Sequence, residues 1–295
     1  MNNPIFRGAA VAIITPFTEN GVNFDELGRI IEDQIANSTD AIVITGTTGE
    51  SSTMTDEEHR AAIKYAVDKV AKRVPVIAGT GSNETAYAIE LSKYAESVGA
   101  DALLLVTPYY NKCTQAGLVA HYTAIADAVN IPIVLYDVPS RTGCAIQIPT
   151  YLKLAEHKNI VAVKEANGDL SFIARLKKAV GDKLAIYSGN DDQIVPILSL
   201  GGQGVISVLS NVAPKQTHDI CQLFFDGKAK KAGELQVDLI DLIEALFCEV
   251  NPIPVKVAMR MLGYNAGPLR LPLTEPDETH KAQIEKALRA HGLIK

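Results

Sequence analysis

The chain has 295 residues, of which 47% are hydrophobic and 21% charged, values typical of a folded globular protein and unlike those of disordered or low-complexity chains. Its 28 Lys and Arg against 34 Asp and Glu give a formal charge of −6, with no Trp and no basic run interleaved with aromatics, which argues against a nucleic-acid partner. No apolar stretch approaches the roughly 18 residues that span a bilayer, and the first residues lack the charged-then-apolar plan of a signal peptide, so a cytoplasmic protein with no membrane partner is expected.

Short runs of Val, Ile, Leu and Ala alternate with helical-period stretches along the chain. Strands are expected at 9–15, 40–45, 74–79, 101–107, 131–136, 159–164, 183–188 and 204–208. Helices are expected between them at 25–37, 55–72, 83–98, 115–129, 149–156, 170–180, 191–200 and 214–225. Thr55 and Glu58 have the spacing of a capping box at one helix start. Eight βα units, with no Gly-x-Gly-x-x-Gly turn after any strand, indicate an α/β fold of the (β/α)8 TIM barrel type rather than a doubly wound sheet. Residues 227–295 show helical periodicity with a proline-marked break at Asn251-Pro-Ile-Pro254, so the chain is expected to divide into a catalytic barrel over 1–226 and a C-terminal helical extension over 227–295. Cys113, Cys144, Cys221 and Cys248 are far apart in sequence and read as buried free thiols, and the six histidines show no ligand spacing, so no metal is expected.

Barrel enzymes carry their reactive groups at the C-terminal ends of strands. Alternation along the sixth strand puts Ala162 and Lys164 on the inner face and Val161 and Val163 on the helix side. An inward Lys164 is either a strand-end lysine reaching for water or a desolvated amine suited to imine chemistry. The same parity turns Tyr136 inward from the fifth strand, as a core tyrosine or as a proton carrier for that amine. Arg141, in the following loop, is either a solvated arginine or a fork for a carboxylate. Thr47 and Thr48, after the second strand, either make a glycine-flanked turn or present hydroxyls and N–H groups to an anion. After the fourth strand come Tyr109 and Tyr110, which cannot both point inward, leaving one free to face another subunit.

At these residues the chain resembles the pyruvate-dependent, Schiff-base-forming class I aldolase superfamily typified by N-acetylneuraminate lyase, and within it the dihydrodipicolinate synthase family. The likeness runs from Ile13-Ile-Thr-Pro-Phe17 through Gly46-Thr-Thr-Gly-Glu50, Thr107-Pro-Tyr-Tyr-Asn111, Leu135-Tyr-Asp-Val-Pro-Ser-Arg-Thr-Gly143, Val161-Ala-Val-Lys-Glu165 and Tyr187-Ser-Gly-Asn190 to Asn251-Pro-Ile-Pro254. The resemblance implies that Lys164 forms an imine with pyruvate and that Tyr136, Thr47 and Tyr110 relay protons, with Tyr110 lent by the neighbour in a tight dimer. It implies that Thr48 and the backbone around Gly189 and Ile206 line the pyruvate pocket, and that Arg141 receives the carboxylate of L-aspartate 4-semialdehyde. It implies a homotetramer built as a dimer of tight dimers and no cofactor, because the lysine imine is itself the electron sink.

The Ser140-Arg-Thr-Gly143 loop separates this reading from its rival within the superfamily, an N-acetylneuraminate or keto-deoxy-sugar lyase. A non-catalytic binding barrel would have no reason to keep Lys164, Tyr136 and Arg141 together. Family members inhibited by L-lysine bind it with residues matching Ser51, Ser52, Asp56, His59, Asn83, Tyr87 and Tyr109. This chain has Asp56 in place of their histidine and Tyr87 in place of their glutamate, so weak or absent inhibition is expected.

Overall fold

Eight parallel strands close on themselves in the computed structural model, which describes residues 4–295. They are Gly8–Ala12, Ala41–Ile44, Val76–Gly79, Ala102–Val106, Ile133–Asp137, Ile160–Glu165, Ala185–Ser188 and Gly204–Ser207, each within or beside an expected run. They neighbour one another in chain order, and the eighth returns to the first with Gly204 opposite Gly8. This is the (β/α)8 barrel expected from the alternation.

The helices outside the barrel include Phe24–Ala36, Asp56–Val70, Thr85–Ser97, Gln115–Asp127, Leu170–Val180 and Pro214–Phe225. Thr55 and Glu58 form the expected capping box, each side chain accepting from the other's backbone N–H. The stretch expected as one helix over 191–200 is divided into a short 3-10 turn, Asp191–Gln193, and the helix Ile194–Ser199. The turn is held because the Asp191 carboxylate accepts from the N–H groups of Val208 and Leu209 at 3.0 and 2.9 Å. A further helical turn, Pro139–Thr142, lies where only a loop was expected. After Phe225 come the helices Ala229–Asp238, Ile240–Leu246, Ile253–Met261 and Glu278–Ala290.

Alternation along the strands makes two cores. Ala10, Ala12, Val43, Leu104, Val134, Ala162 and Ile206 fill the barrel interior, where Phe6 stacks on Tyr187 with ring centroids 4.3 Å apart. Val11, Ile42, Leu103, Leu135 and Val163 face the helices. Val161 departs from the expectation. The register shifts between Ile133 and Val134, so that Ile133 pairs with Ile160 and Val134 with Ala162. The skipped Val161 packs with the interior group instead of with Val163.

Two buried ionic features sit behind the strand ends. The ammonium of Lys256, from the C-terminal extension, is fully buried against the equally buried Glu50 carboxylate at 2.5 Å. It also donates to the Pro268 carbonyl at 2.7 Å and lies 4.4 Å from the centre of the Phe17 ring. Asp137 and Glu165 face each other in register on the outer side of the barrel, 0% and 1% exposed. Burial raises the pKa of both, and the charge on Asp137 raises Glu165 further.

Removing one member of a fully buried ion pair strands a charge, at a typical cost of about 3–5 kcal/mol. Lys256→Met should therefore lower the thermal midpoint, and the double change Glu50→Gln with Lys256→Met should recover part of the loss; an unchanged midpoint in the single variant would refute the assignment. For the acid pair, the folded state holds a proton that the unfolded chain releases above about pH 4, so stability falls as pH rises from there through the raised folded-state values. Asp137→Asn should raise the midpoint at pH 8, by about 2–4 °C per kcal/mol, with the gain shrinking toward pH 4 in a melting series against wild type. A gain that does not vary with pH would show that packing, not the proton, is responsible.

Candidate active site

The mouth of the barrel holds a cavity of about 210 Å³ whose wall includes Thr47, Thr48, Tyr136, Arg141, Lys164 and Gly189. Six of the eight residues expected at the site are thus brought together from four strand ends. Lys164 projects inward above Ala162, as the parity argument requires, and is 6% exposed. Its strand partner is Tyr136, and its ammonium lies 4.4 Å from the centre of that ring. Burial lowers the Lys164 pKa to about 8; the Asp191 carboxylate pulls it up and the Arg141 guanidinium pushes it further down. Burial raises the Tyr136 phenol, while Arg141 and a hydrogen bond from Thr47 favour its ionised form.

The turn carrying Thr47 and Thr48 is bracketed by Thr45 and Glu50, both left-handed with φ of 54° and 55°. A β-branched residue avoids that region unless held there. The Thr45 hydroxyl is tied to the carbonyls of Ile44 and Gly79 at 2.7 and 3.2 Å, and the Glu50 carboxylate to Lys256 and to the Arg270 N–H. Gly189 has a steric reason for its identity, since a Cβ there would come within 2.6 Å of the Ala166 Cβ and 3.0 Å of the Glu165 carbonyl oxygen.

Two expected residues stand apart. Ile206 is fully buried in the barrel interior with Ala10 and Ala162 and does not line the cavity, although Val208, two residues on, does. Tyr110 is 92% exposed on a backbone with φ of 69°, outside its own chain's cavity.

Two residues in or beside the site escaped sequence reasoning. Asn251, read as the start of a proline-marked break and of the last resembling motif but given no role, is 6% exposed in the cavity wall. Its Nδ2 donates to the Thr48 hydroxyl at 3.1 Å, its carbonyl accepts from Arg141 Nη2 at 2.9 Å, and its Oδ1 has no protein partner. Asp191, buried and close enough to affect Lys164, was hidden in an expected helix. Neither has a local sequence signal, because each partner lies far away along the chain.

A second cavity of about 410 Å³ adjoins the first and shares Thr47, Val138 and Arg141 with it. Ser51, Ser52, His59, Tyr87 and Tyr109 line it, whereas Asp56 and Asn83 do not. The Tyr87 hydroxyl donates to Asp56 Oδ1 at 2.9 Å, and the other Asp56 oxygen pairs with Arg60 at 2.6 Å. Among the described residues, one group could offer three metal ligands, Glu249, Asp277 and His280. It belongs to the C-terminal extension, outside both cavities, and its histidine is bonded to Glu249 at 2.7 Å.

What the cavity offers is a desolvated amine, a phenol beside it and a guanidinium at the rim, a set suited to imine chemistry on a small oxo acid. The model of the dihydrodipicolinate synthetase family matches residues 5–291. A relative from Clostridium perfringens, named 4-hydroxy-tetrahydrodipicolinate synthase, is 57% identical over 291 residues, covering 99% of this chain and all of the relative. The crystal structure of dihydrodipicolinate synthase from Aquifex aeolicus superposes with a TM-score of 0.96 at 44% identity, covering 98% of this chain and 99% of that one. A structure described as the first monomeric dihydrodipicolinate synthase variant matches with a TM-score of 0.95 at 41% identity over 98% of each chain. With a family model and a relative of 57% identity both spanning nearly its whole length, the chain belongs to the dihydrodipicolinate synthetase family.

Proposed function

We propose that Lys164 is the nucleophile and Tyr136 its proton carrier in the activity of this chain, that of a 4-hydroxy-tetrahydrodipicolinate synthase, a lyase of the class I aldolase type. The observation that carries the reading is the buried Lys164 amine facing Tyr136 in a cavity rimmed by Arg141. With a pKa of about 8, roughly a tenth of Lys164 is free amine at pH 7, several hundred times more than for an ordinary lysine. That amine attacks the ketone of pyruvate, water leaves, and loss of a methyl proton by way of Tyr136 gives the enamine. The enamine carbon attacks the aldehyde of L-aspartate 4-semialdehyde, whose carboxylate is taken by Arg141. The amine of the adduct then displaces Lys164 and closes the ring, so no cofactor enters the scheme. Thr48 and the backbone near Gly189 bind pyruvate in this reading, with Thr47 extending the proton relay from Tyr136 and Ile206 left in the core beneath the cavity.

Tyr110 completes the relay from a neighbouring subunit in this proposal, which its exposure and its absence from the wall of its own cavity support. The assembly is a homotetramer of two tight dimers working in the cytoplasm, each chain divided into the barrel over 1–226 and the extension over 227–295. No helix among the described residues is long and apolar enough to cross a membrane. We further propose weak or absent inhibition by L-lysine. Tyr87 offers the second cavity a phenol rather than a carboxylate, and Asp56, paired with Arg60 and Tyr87, is not free to replace it.

Borohydride added with pyruvate should fix a reduced pyruvyl group on Lys164, whereas Arg141→Ala should retain that trapping and lose turnover with the semialdehyde. Label on another lysine, or equal loss of both half-reactions, would overturn these roles. Mixing Tyr110→Phe chains with Lys164→Ala chains under demonstrated subunit exchange should restore activity; failure would return Tyr110 to its own subunit. Added L-lysine should leave the initial rate nearly unchanged below a millimolar, and Tyr87→Glu with Asp56→His should introduce sensitivity. Losing a hydrogen bond to a charged partner costs about 1.5–3 kcal/mol, so a one- to two-decade gain in apparent affinity is expected from restoring it.

A further inference from the structure

Two of the four free cysteines meet beside the active-site mouth. Cys113 follows the Tyr109–Tyr110 loop and Cys144 follows the Arg141 turn, 31 residues later, with Cys144 Sγ 4.0 Å from the Cys113 carbonyl oxygen. The two loops are already bound side by side. The Thr107 hydroxyl donates to Thr142 Oγ1 at 3.0 Å, Gln115 Nε2 to the Ala145 carbonyl at 2.8 Å, and the Gln147 N–H to Gln115 Oε1 at 3.0 Å. Lys112 runs along Gly143, its Cε 2.9 Å from where a Cβ would stand. Cys113 is partly exposed and Cys144 buried, the arrangement of an accessible thiol with a second thiol behind it.

We infer that Cys113 and Cys144 form a thiol–disulfide exchange site, in which a low-molecular-weight disulfide converts the pair to an intramolecular disulfide joining the Tyr110 loop to the Arg141 turn. The Cys113 thiolate attacks one sulfur of oxidised glutathione and expels one glutathione thiolate. The Cys144 thiolate then attacks the Cys113 sulfur of the mixed disulfide and expels the second. Two protein thiols lose their protons and are oxidised by two electrons, and one oxidised glutathione becomes two reduced ones. Burial and the adjacent Cys144 sulfur push the Cys113 thiol up, so the reaction should quicken as pH rises.

The test is incubation of the intact enzyme with oxidised glutathione at pH 7 and at pH 8.5, followed by unfolding, thiol titration and peptide mapping. Expected are the loss of two of the four thiols, faster at the higher pH, a linked pair of peptides carrying Cys113 and Cys144, no retained glutathione, and full reversal by dithiothreitol. Cys144→Ser should instead keep glutathione on Cys113, and Cys113→Ser should form no link. Four thiols still titrating at pH 8.5, a stable adduct on Cys113 of the unaltered chain, or a link involving Cys221 or Cys248 would overturn the proposal.

Discussion

The buried pair of Lys256 and Glu50 is the constraint on which the mouth of the barrel depends. Two charges taken wholly out of water are tolerated only when their remaining hydrogen-bonding groups are satisfied. Lys256 has Glu50, the Pro268 carbonyl and the face of Phe17, while Glu50 has Lys256 and the Arg270 N–H. Arg270 in turn grips Glu58, the residue that caps the next helix. The left-handed turn at Glu50, which presents Thr47 and Thr48, is therefore fixed from the far end of the chain. Two residues before the start of Ile253–Met261, the helix that carries Lys256, Asn251 holds the Thr48 hydroxyl with its side chain and Arg141 with its carbonyl. The C-terminal extension is in this sense a wall of the site and the support for two of its loops.

Strand alternation does a second job at the fifth and sixth strands. Tyr136 and Lys164 are paired in register and face inward, so their successors, Asp137 and Glu165, are paired in register and face outward. The inner pair places an amine against a phenol ring in a desolvated mouth, which holds the amine pKa down. The outer pair places two acids against each other behind it, which holds their pKa values up. Burial is the first cause in each case, and it acts in opposite directions because it penalises whichever form is charged. One stretch of backbone thus carries two sets of shifted groups, of which only the inner set can touch a substrate.

What could be read in the sequence was what short-range pattern determines. Strong apolar runs mark all eight strands, and period-two parity alone turns Tyr136 and Lys164 inward. Parity failed at Val161 because it assumes continuous register, and Val161 is the residue skipped where the pairing passes from Ile133 to Val134. The helix expected over 191–200 broke because the Asp191 carboxylate is held by N–H groups 17 and 18 residues away. Asn251 and Lys256 act on residues about two hundred positions distant, a relation with no trace in local composition. Tyr110 shows the converse. Its exposure alone gives it no role, and only the family resemblance suggested one.

The two cavities at the mouth share Thr47, Val138 and Arg141, and this bears on how an outer ligand could act on the chemistry. Coupling between distant sites needs an element with two arrangements that both sites bias. Here the wall is common, so a molecule seated in the outer cavity would press directly on a proposed relay hydroxyl and on the guanidinium that also affects Lys164. The strength of that effect depends on what the outer wall offers a ligand. In this chain Asp56, the acid bonded to the Tyr87 hydroxyl, is also paired with Arg60, and burial lowers the His59 pKa while one of its ring nitrogens is bonded to the Gly79 carbonyl. A cationic ligand therefore meets a wall that includes the hydroxyl-bearing Ser51, Ser52, Tyr87 and Tyr109 and the Arg141 guanidinium but no carboxylate among the described residues, so little opposite charge is there to bind it. The shared wall gives such a ligand a direct route to the inner cavity, while the carboxylate that would attract it is already paired inside the protein.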